Sequence, residues 1–132
     1  MARARRLVSY LDTHVVVWLY AGLVEKLSEP ARQAIEEGAL LFSPMVELEL
    51  QYLHEIGRLT VSSATLINAL QEEIGLRNAD IPLPSIIAIA KTLTWTRDVF
   101  DRMIVATTMA TQETQLITKD TTIRQHSAVA LW

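Results

Sequence analysis

Apolar residues along this chain come in short runs that alternate with longer amphipathic stretches, and run length separates strands from helices. Leu7 to Leu11 reads as a buried strand ending at Asp12, with an apolar segment, Val15 to Leu23, after it. Ser28-Glu29-Pro30 predicts a helix start, serine as cap and proline in the first turn, and Gly38 closes that helix. Leu40 to Phe42 is too short for a helix and reads as a second strand. Ser43-Pro44 opens a helix to about Gly57, and another runs from about Ser62 to Ile74. Ile81 to Leu83 is a third strand candidate, and Pro84 starts a helix to about Leu93. Asp98 caps a helix to about Thr111, Gln115 to Thr118 is a strand, Asp120 begins a short helix, and Val129 to Trp132 is a last strand. Short apolar strands alternating with helices imply a mainly parallel sheet covered on both faces, so the expected class is a single α/β domain.

The pattern also singles out acids by the face each occupies. At about 100° per residue, Met45, Val46, Leu50, Leu53 and Ile56 form one apolar face of the helix after Pro44, and Glu49 falls in its middle. Glu47 falls on the opposite side with Gln51, His54, Glu55 and Arg58, an ordinary solvated face. A carboxylate aimed at a core is costly unless it is paired, protonated or bound to a cation. Glu49 therefore needs a function and Glu47 does not. Asp101 poses the same problem, one turn before Ile104 and Val105 on an inward stripe, whereas Asp98 reads first as the helix cap. Asp12 and Asp120 each close a strand, where ligands of open α/β sheets bind, although a lone aspartate there is as often a turn or cap residue. Of the five aspartates, only Asp80 lacks a placement at a strand end or at the start of the inward helix.

Composition narrows the chemistry. The 132 residues are 50% hydrophobic and 20% charged with no cysteine, which excludes disorder, a disulfide-stapled fold and thiolate zinc sites. No apolar run reaches the ~18 residues that span a bilayer, the basic Met1–Arg6 segment makes a poor signal peptide, and a cytoplasmic protein is expected. The net charge of −3 argues mildly against a nucleic-acid partner, the more so because three of the twelve basic residues, Arg3, Arg5 and Arg6, lie in the first six positions. Crowded carboxylates without thiols suit a hard cation, Mg²⁺ or Mn²⁺, and such a site performs metal-assisted attack on phosphate esters. The cation would also bridge an acidic site to a polyanion.

Four segments then resemble, in order, the motifs of PIN-domain ribonucleases, specifically VapC-type toxins of bacterial toxin–antitoxin pairs. They are Leu11-Asp12-Thr13-His14 after the first strand; Phe42 to Leu50, with a serine followed six residues later by Glu49; Thr96 to Ala106 around Asp101; and Leu116-Ile117-Thr118-Lys119-Asp120, with Val129 to Trp132 as the closing strand. Val99 departs from the pattern, standing where many relatives carry proline, and Met1 to Arg6 lie outside it as a tail. The resemblance spans nearly the whole chain and implies a PIN-like α/β/α sandwich of four or five short strands. It further implies a Mg²⁺- or Mn²⁺-dependent endoribonuclease acting on structured RNA such as tRNA, and neutralised by a VapB-type antitoxin. By the same resemblance Asp12 and Asp101 are direct metal ligands, and Glu49 and Asp120 complete the acidic cluster. Thr13 and Thr118 are hydroxyl partners of the ligands, and Asp98 is an outer member of the set.

Other features receive plainer readings. His14, His54 and His126 are too scattered for a histidine metal site. Trp18, Trp95 and Trp132 read as core or interface anchors, Trp95 being the one placed for substrate contact. Arg102 faces either a carboxylate or a phosphate. Surplus apolar surface on the Val15–Leu23 segment or on the helix carrying Leu66, Leu70 and Ile74 would suit a homodimer or an antitoxin groove. The rival classes are a receiver-like signalling domain, which wants an acidic pair where only Asp12 stands, an aspartyl-phosphate phosphatase, which wants an acid where His14 stands, and an inactive PIN domain kept for binding.

Overall fold

The computed structural model describes residues 8–132, so the tail of residues 1–6 and the strand position of Leu7 lie outside the described residues. Five strands and seven α-helices follow one another as β1 (Val8–Leu11), α1 (Thr13–Ala21), α2 (Glu29–Glu37), β2 (Ala39–Phe42), α3 (Pro44–Glu55), α4 (Ser63–Ile74), β3 (Arg77–Asn78), α5 (Leu83–Ala90), α6 (Val99–Met109), β4 (Thr114–Ile117), α7 (Thr121–His126) and β5 (Ala130–Leu131). The sheet runs β3-β2-β1-β4-β5, and every pairing is parallel. Ser9, Tyr10 and Leu11 are all buried although successive side chains point to opposite faces, so helices cover both sides of β1 in an α/β/α arrangement.

Local signals set most element ends. Ser28, Ser43 and Ser62 accept backbone N–H groups of the first turns of α2, α3 and α4. Gly22 ends α1 in the left-handed region at φ 73°, where any other residue would be strained. Buried hydroxyls then tie α3 to α6. Thr107 donates to the Met103 carbonyl at 2.6 Å, so Ser43 is the donor in the 3.0 Å contact between the Ser43 and Thr107 hydroxyls. Met103 to Thr108 of α6 are buried without a break, and α6 packs against both α3 and α5.

The third strand is not Ile81–Leu83 but Arg77–Asn78, paired with Leu41 and Phe42 and extended by a 2.9 Å bond from the Ala79 N–H to the Phe42 carbonyl. The apolar run that suggested a strand carries Pro82 and is followed by Pro84, neither of which has an N–H for a ladder, and it leads into α5 instead, with Pro82 as N-cap and Leu83 as the first helical residue. The true strand is two exposed polar residues at a sheet edge, a pattern without hydrophobic signal. Ile56, expected on the buried face of its helix, is the C-cap of α3 and 50% exposed, because the helix ends at Glu55 and the chain turns away.

Ser43→Ala removes both a helix cap and the donor to Thr107. It is expected to lower unfolding stability by about 1–2 kcal/mol, measured as a shifted urea midpoint with unchanged slope.

Candidate active site

In this strand order the chain reverses direction across the sheet between β1 and β4, and the crevice beyond their carboxyl ends is where open α/β sheets bind ligands. The β1–β4 register pairs Leu11 with Ile117, so Asp12 and Thr118 leave the sheet side by side. A cleft of about 420 Å³ opens there, and Asp12, Glu49, Asp98, Asp101 and Asp120 all line it. Glu47 is not among its lining residues.

Asp12, Glu49, Asp98 and Asp120 each accept a hydrogen bond at the carboxylate. Asp12 is buried; its Oδ1 accepts the Thr13 N–H at 2.8 Å and its Oδ2 accepts the Thr118 hydroxyl at 2.7 Å. The same Thr118 oxygen accepts the Asp120 N–H at 3.0 Å, so one buried hydroxyl couples two acid-bearing segments. Asp120 in turn caps α7 through a 2.9 Å bond from the Ile123 N–H. The Thr13 hydroxyl donates to Glu49 Oε1, which draws α3 towards the start of α1. Asp98 accepts the Asp101 N–H at 3.0 Å and so caps α6 while lining the cleft; the cap and site readings describe one residue.

Electrostatics follow from this crowding. Asp101 is pushed up to about 7, first by burial and then by the negative charges of Asp98, Asp12, Asp120 and Glu49. Burial also raises Glu49, with the Thr13 hydrogen bond opposing and Asp12 and Asp98 reinforcing the rise. His14 Nε2 accepts the Lys119 N–H at 2.9 Å, which places its ring proton on Nδ1, 3.8 Å from Asp12 Oδ2. Burial lowers the His14 pKa, with the Lys119 charge adding to the effect and Asp12 and Asp120 opposing it.

The available donors at the cleft are carboxylate oxygens, the ligand type of a hard divalent cation. Among the described residues no three Asp, Glu or His side chains stand close enough to close around one ion. A hard divalent cation bound at this cleft would take one or two of these carboxylates and otherwise water.

Some candidates fall outside the cleft. Arg102 Nε donates to the Thr96 carbonyl at 2.8 Å, and the residue is not among those that line the cleft. Trp95 stacks on His126 with ring centroids 5.2 Å apart, also away from it. His14, Trp18 and Arg58 line the cleft instead. The helical spacing of His14 and Trp18 after Asp12 was the available signal for the first two. Arg58 had none, because it reaches the cleft through the left-handed turn at Gly57.

The Asp101 shift fixes the sign of a pH effect. A group that binds its proton more tightly when folded contributes stability below its unfolded pKa, and that contribution is lost as pH rises through the folded value. In the metal-free protein stability is thus expected to fall from about pH 4 to pH 7 on account of Asp101. Asp101→Asn should flatten that slope and raise the melting temperature at pH 8 by a few degrees, solvent screening at this half-exposed site keeping the gain small. Thermal melts in EDTA across pH 5–8 measure both.

Comparison with known proteins agrees with this geometry. The family model of the PIN domain matches residues 9–129. The crystal structure of VapBC2 from Rickettsia felis, bound to a DNA fragment from its promoter, contains a chain 14% identical to this one; the match covers 96% of this chain and 98% of that one, with a TM-score of 0.64. VapBC-1 from nontypeable Haemophilus influenzae contains a chain 18% identical, with coverages of 90% and 91% and a TM-score of 0.54. At such identities these structures speak to the fold. No curated protein matches the chain in sequence. The family match takes in every acid that lines the cleft, and the chain belongs to the PIN domain family.

Proposed function

We propose that this protein is a VapC-type toxin, a Mg²⁺- or Mn²⁺-dependent endoribonuclease that works in the cytoplasm and is neutralised by a VapB-type antitoxin. The observation that carries the reading is the convergence of Asp12, Glu49, Asp98, Asp101 and Asp120 on one cleft at the sheet's switch point. Burial, reinforced by the repulsion of the neighbouring carboxylates, drives Asp101 up to about 7, and a bound dication would relieve that repulsion. The two solved structures described above are of VapBC proteins, which supports the toxin class and the antitoxin partner.

Asp12 and Asp101 would hold the ion, with Glu49 and Asp120 completing the acidic set. Bound there, a dication would supply Lewis-acid polarisation of the phosphate and charge to offset the carboxylates. The chain's own residues do the rest. Thr118 orients Asp12 Oδ2, Thr13 orients Glu49, and Asp98 positions the first turn of α6 that carries Asp101. Water adds to phosphorus in line, the P–O3′ bond breaks, and the products carry a 5′-phosphate and a 3′-hydroxyl. Structured RNA such as tRNA is the proposed substrate.

On α4 Leu66 and Leu70 are buried and Ile74 is the only large apolar residue exposed, and on the Val15–Leu23 segment Tyr20 is exposed, so a larger apolar surface for a homodimer lies elsewhere. Leu48 and Tyr52 of α3, Leu83 and Ile87 of α5 and Val99 of α6 are exposed. The Tyr52 and Phe100 rings, 6.3 Å apart, link α3 to α6. That surface supports a homodimer through the α3–α5–α6 side.

Purified protein is expected to cut bacterial RNA into discrete products with Mg²⁺ or Mn²⁺ and to be inert in EDTA. Asp12→Asn should lower the cleavage rate at least ~100-fold. Thr118→Val, which removes the hydroxyl but keeps the shape, should cost roughly 10–100-fold in metal affinity by calorimetry. Metal-independent cleavage, or full activity in Asp12→Asn, would refute the reading.

A further inference from the structure

One wall of the acidic cleft has the opposite character. Trp18, one helical turn after His14 on α1, lines the cleft half-buried. His14 meets it edge-on with centroids 5.0 Å apart, and Trp132 lies tilted against it at 6.1 Å. The ammonium groups of Lys26 and Lys119 sit over its ring, 5.4 and 5.9 Å from the centroid. The indole is thus held by packing from two separate segments. The two lysines are exposed, and each reaches it on a flexible stem.

This wall answers a difficulty that the acids create. A protein of net charge −3 with five carboxylates around its cleft repels a polyanion everywhere except where cations are gathered. An aromatic face flanked by lysines beside a candidate hydrolytic centre is the combination that holds single-stranded nucleic acid, bases on the ring and phosphates on the cations. The contacts of the lysines with the indole are the weak, solvent-exposed kind, readily exchanged for phosphate.

We propose that Trp18, Lys26 and Lys119 form a subsite for an unpaired nucleotide adjoining the scissile phosphodiester of the RNA. A base stacks on the indole, and the two ammonium groups swing from the ring to the flanking phosphates. The inference rests on the ribonuclease reading and adds a requirement to it, an unpaired base beside the cut.

The test uses Asp101→Asn protein with Mg²⁺, so that binding is read without cleavage. Fluorescence anisotropy follows a labelled ten-nucleotide oligoadenylate and its abasic counterpart. Adding Trp18→Ala is expected to weaken oligoadenylate binding about 10-fold and leave the abasic strand unchanged, while Trp18→Phe retains most of the preference. Lys26→Gln and Lys119→Gln should weaken both strands, each reducing the slope of log K against log salt by about 0.7. A merely structural role for Trp18 would weaken both strands alike, and that result overturns the proposal. So do unchanged affinities and salt slopes in the variants. Should Trp18→Ala fail to fold, the exposed lysine positions decide by their salt slopes. Wild-type cleavage of RNA is assayed in parallel: cleavage beside variants that bind like their parent removes the subsite alone. An inert wild type whose Asp101→Asn form binds no RNA removes the ribonuclease reading and the subsite with it.

Discussion

Like charges held together against their repulsion are the constraint around which the cleft is built. Five carboxylates line it, and for Asp101 and Glu49 burial and the neighbouring charges make the anion less stable than it would be alone in water. Hydrogen bonds to the carboxylate oxygens of Asp12, Glu49, Asp98 and Asp120 hold four of them in place, and Asp101 is carried there by the first turn of α6. Asp12, Asp98 and Asp120 are the N-caps of α1, α6 and α7, so three helices begin at the cleft and bond first-turn N–H groups to these acids. Capping and site assembly are here the same act.

Two threonines complete the arrangement from opposite directions. Thr118 is fully buried at the end of β4 and serves Asp12 as donor and Asp120 as acceptor. Thr13, in the first turn of α1, reaches across to Glu49 on α3. The two acids carried within helices are those whose protonation is shifted upwards, Asp101 and Glu49. Burial is the leading cause for both, and neighbouring carboxylates add to it. A cation bound there would meet oriented oxygens and a local excess of negative charge, which is the ground on which the proposed metal-assisted chemistry rests.

Much of this was legible locally. Glu49 stood out from Glu47 because helical periodicity placed it among apolar neighbours, and it does line the cleft while Glu47 does not. The serine caps and Pro44 announced α2, α3 and α4 within a few residues of where they begin. The edge strand was illegible for an equally physical reason. Arg77–Asn78 is polar and two residues long, and only pairing with the edge of β2 makes it a strand, whereas the apolar Ile81–Leu83 run was barred from the ladder by Pro82 within it and Pro84 after it.

Periodicity, caps and strand-ending aspartates determined from the chain alone that this is an α/β fold with acids at the carboxyl ends of strands, since those signals act over a turn of helix or a few residues of strand. Tertiary structure alone decided which acids meet and what surrounds them. The Thr118–Asp12 bond joins residues 106 positions apart, and it exists because β1 and β4 are neighbours in one parallel register. Trp18 and Arg58, read as packing and as solvated surface, line the cleft for the same reason. A side chain's neighbours across the sheet's edge depend on strand order and on where each helix leaves it, and no local pattern encodes either.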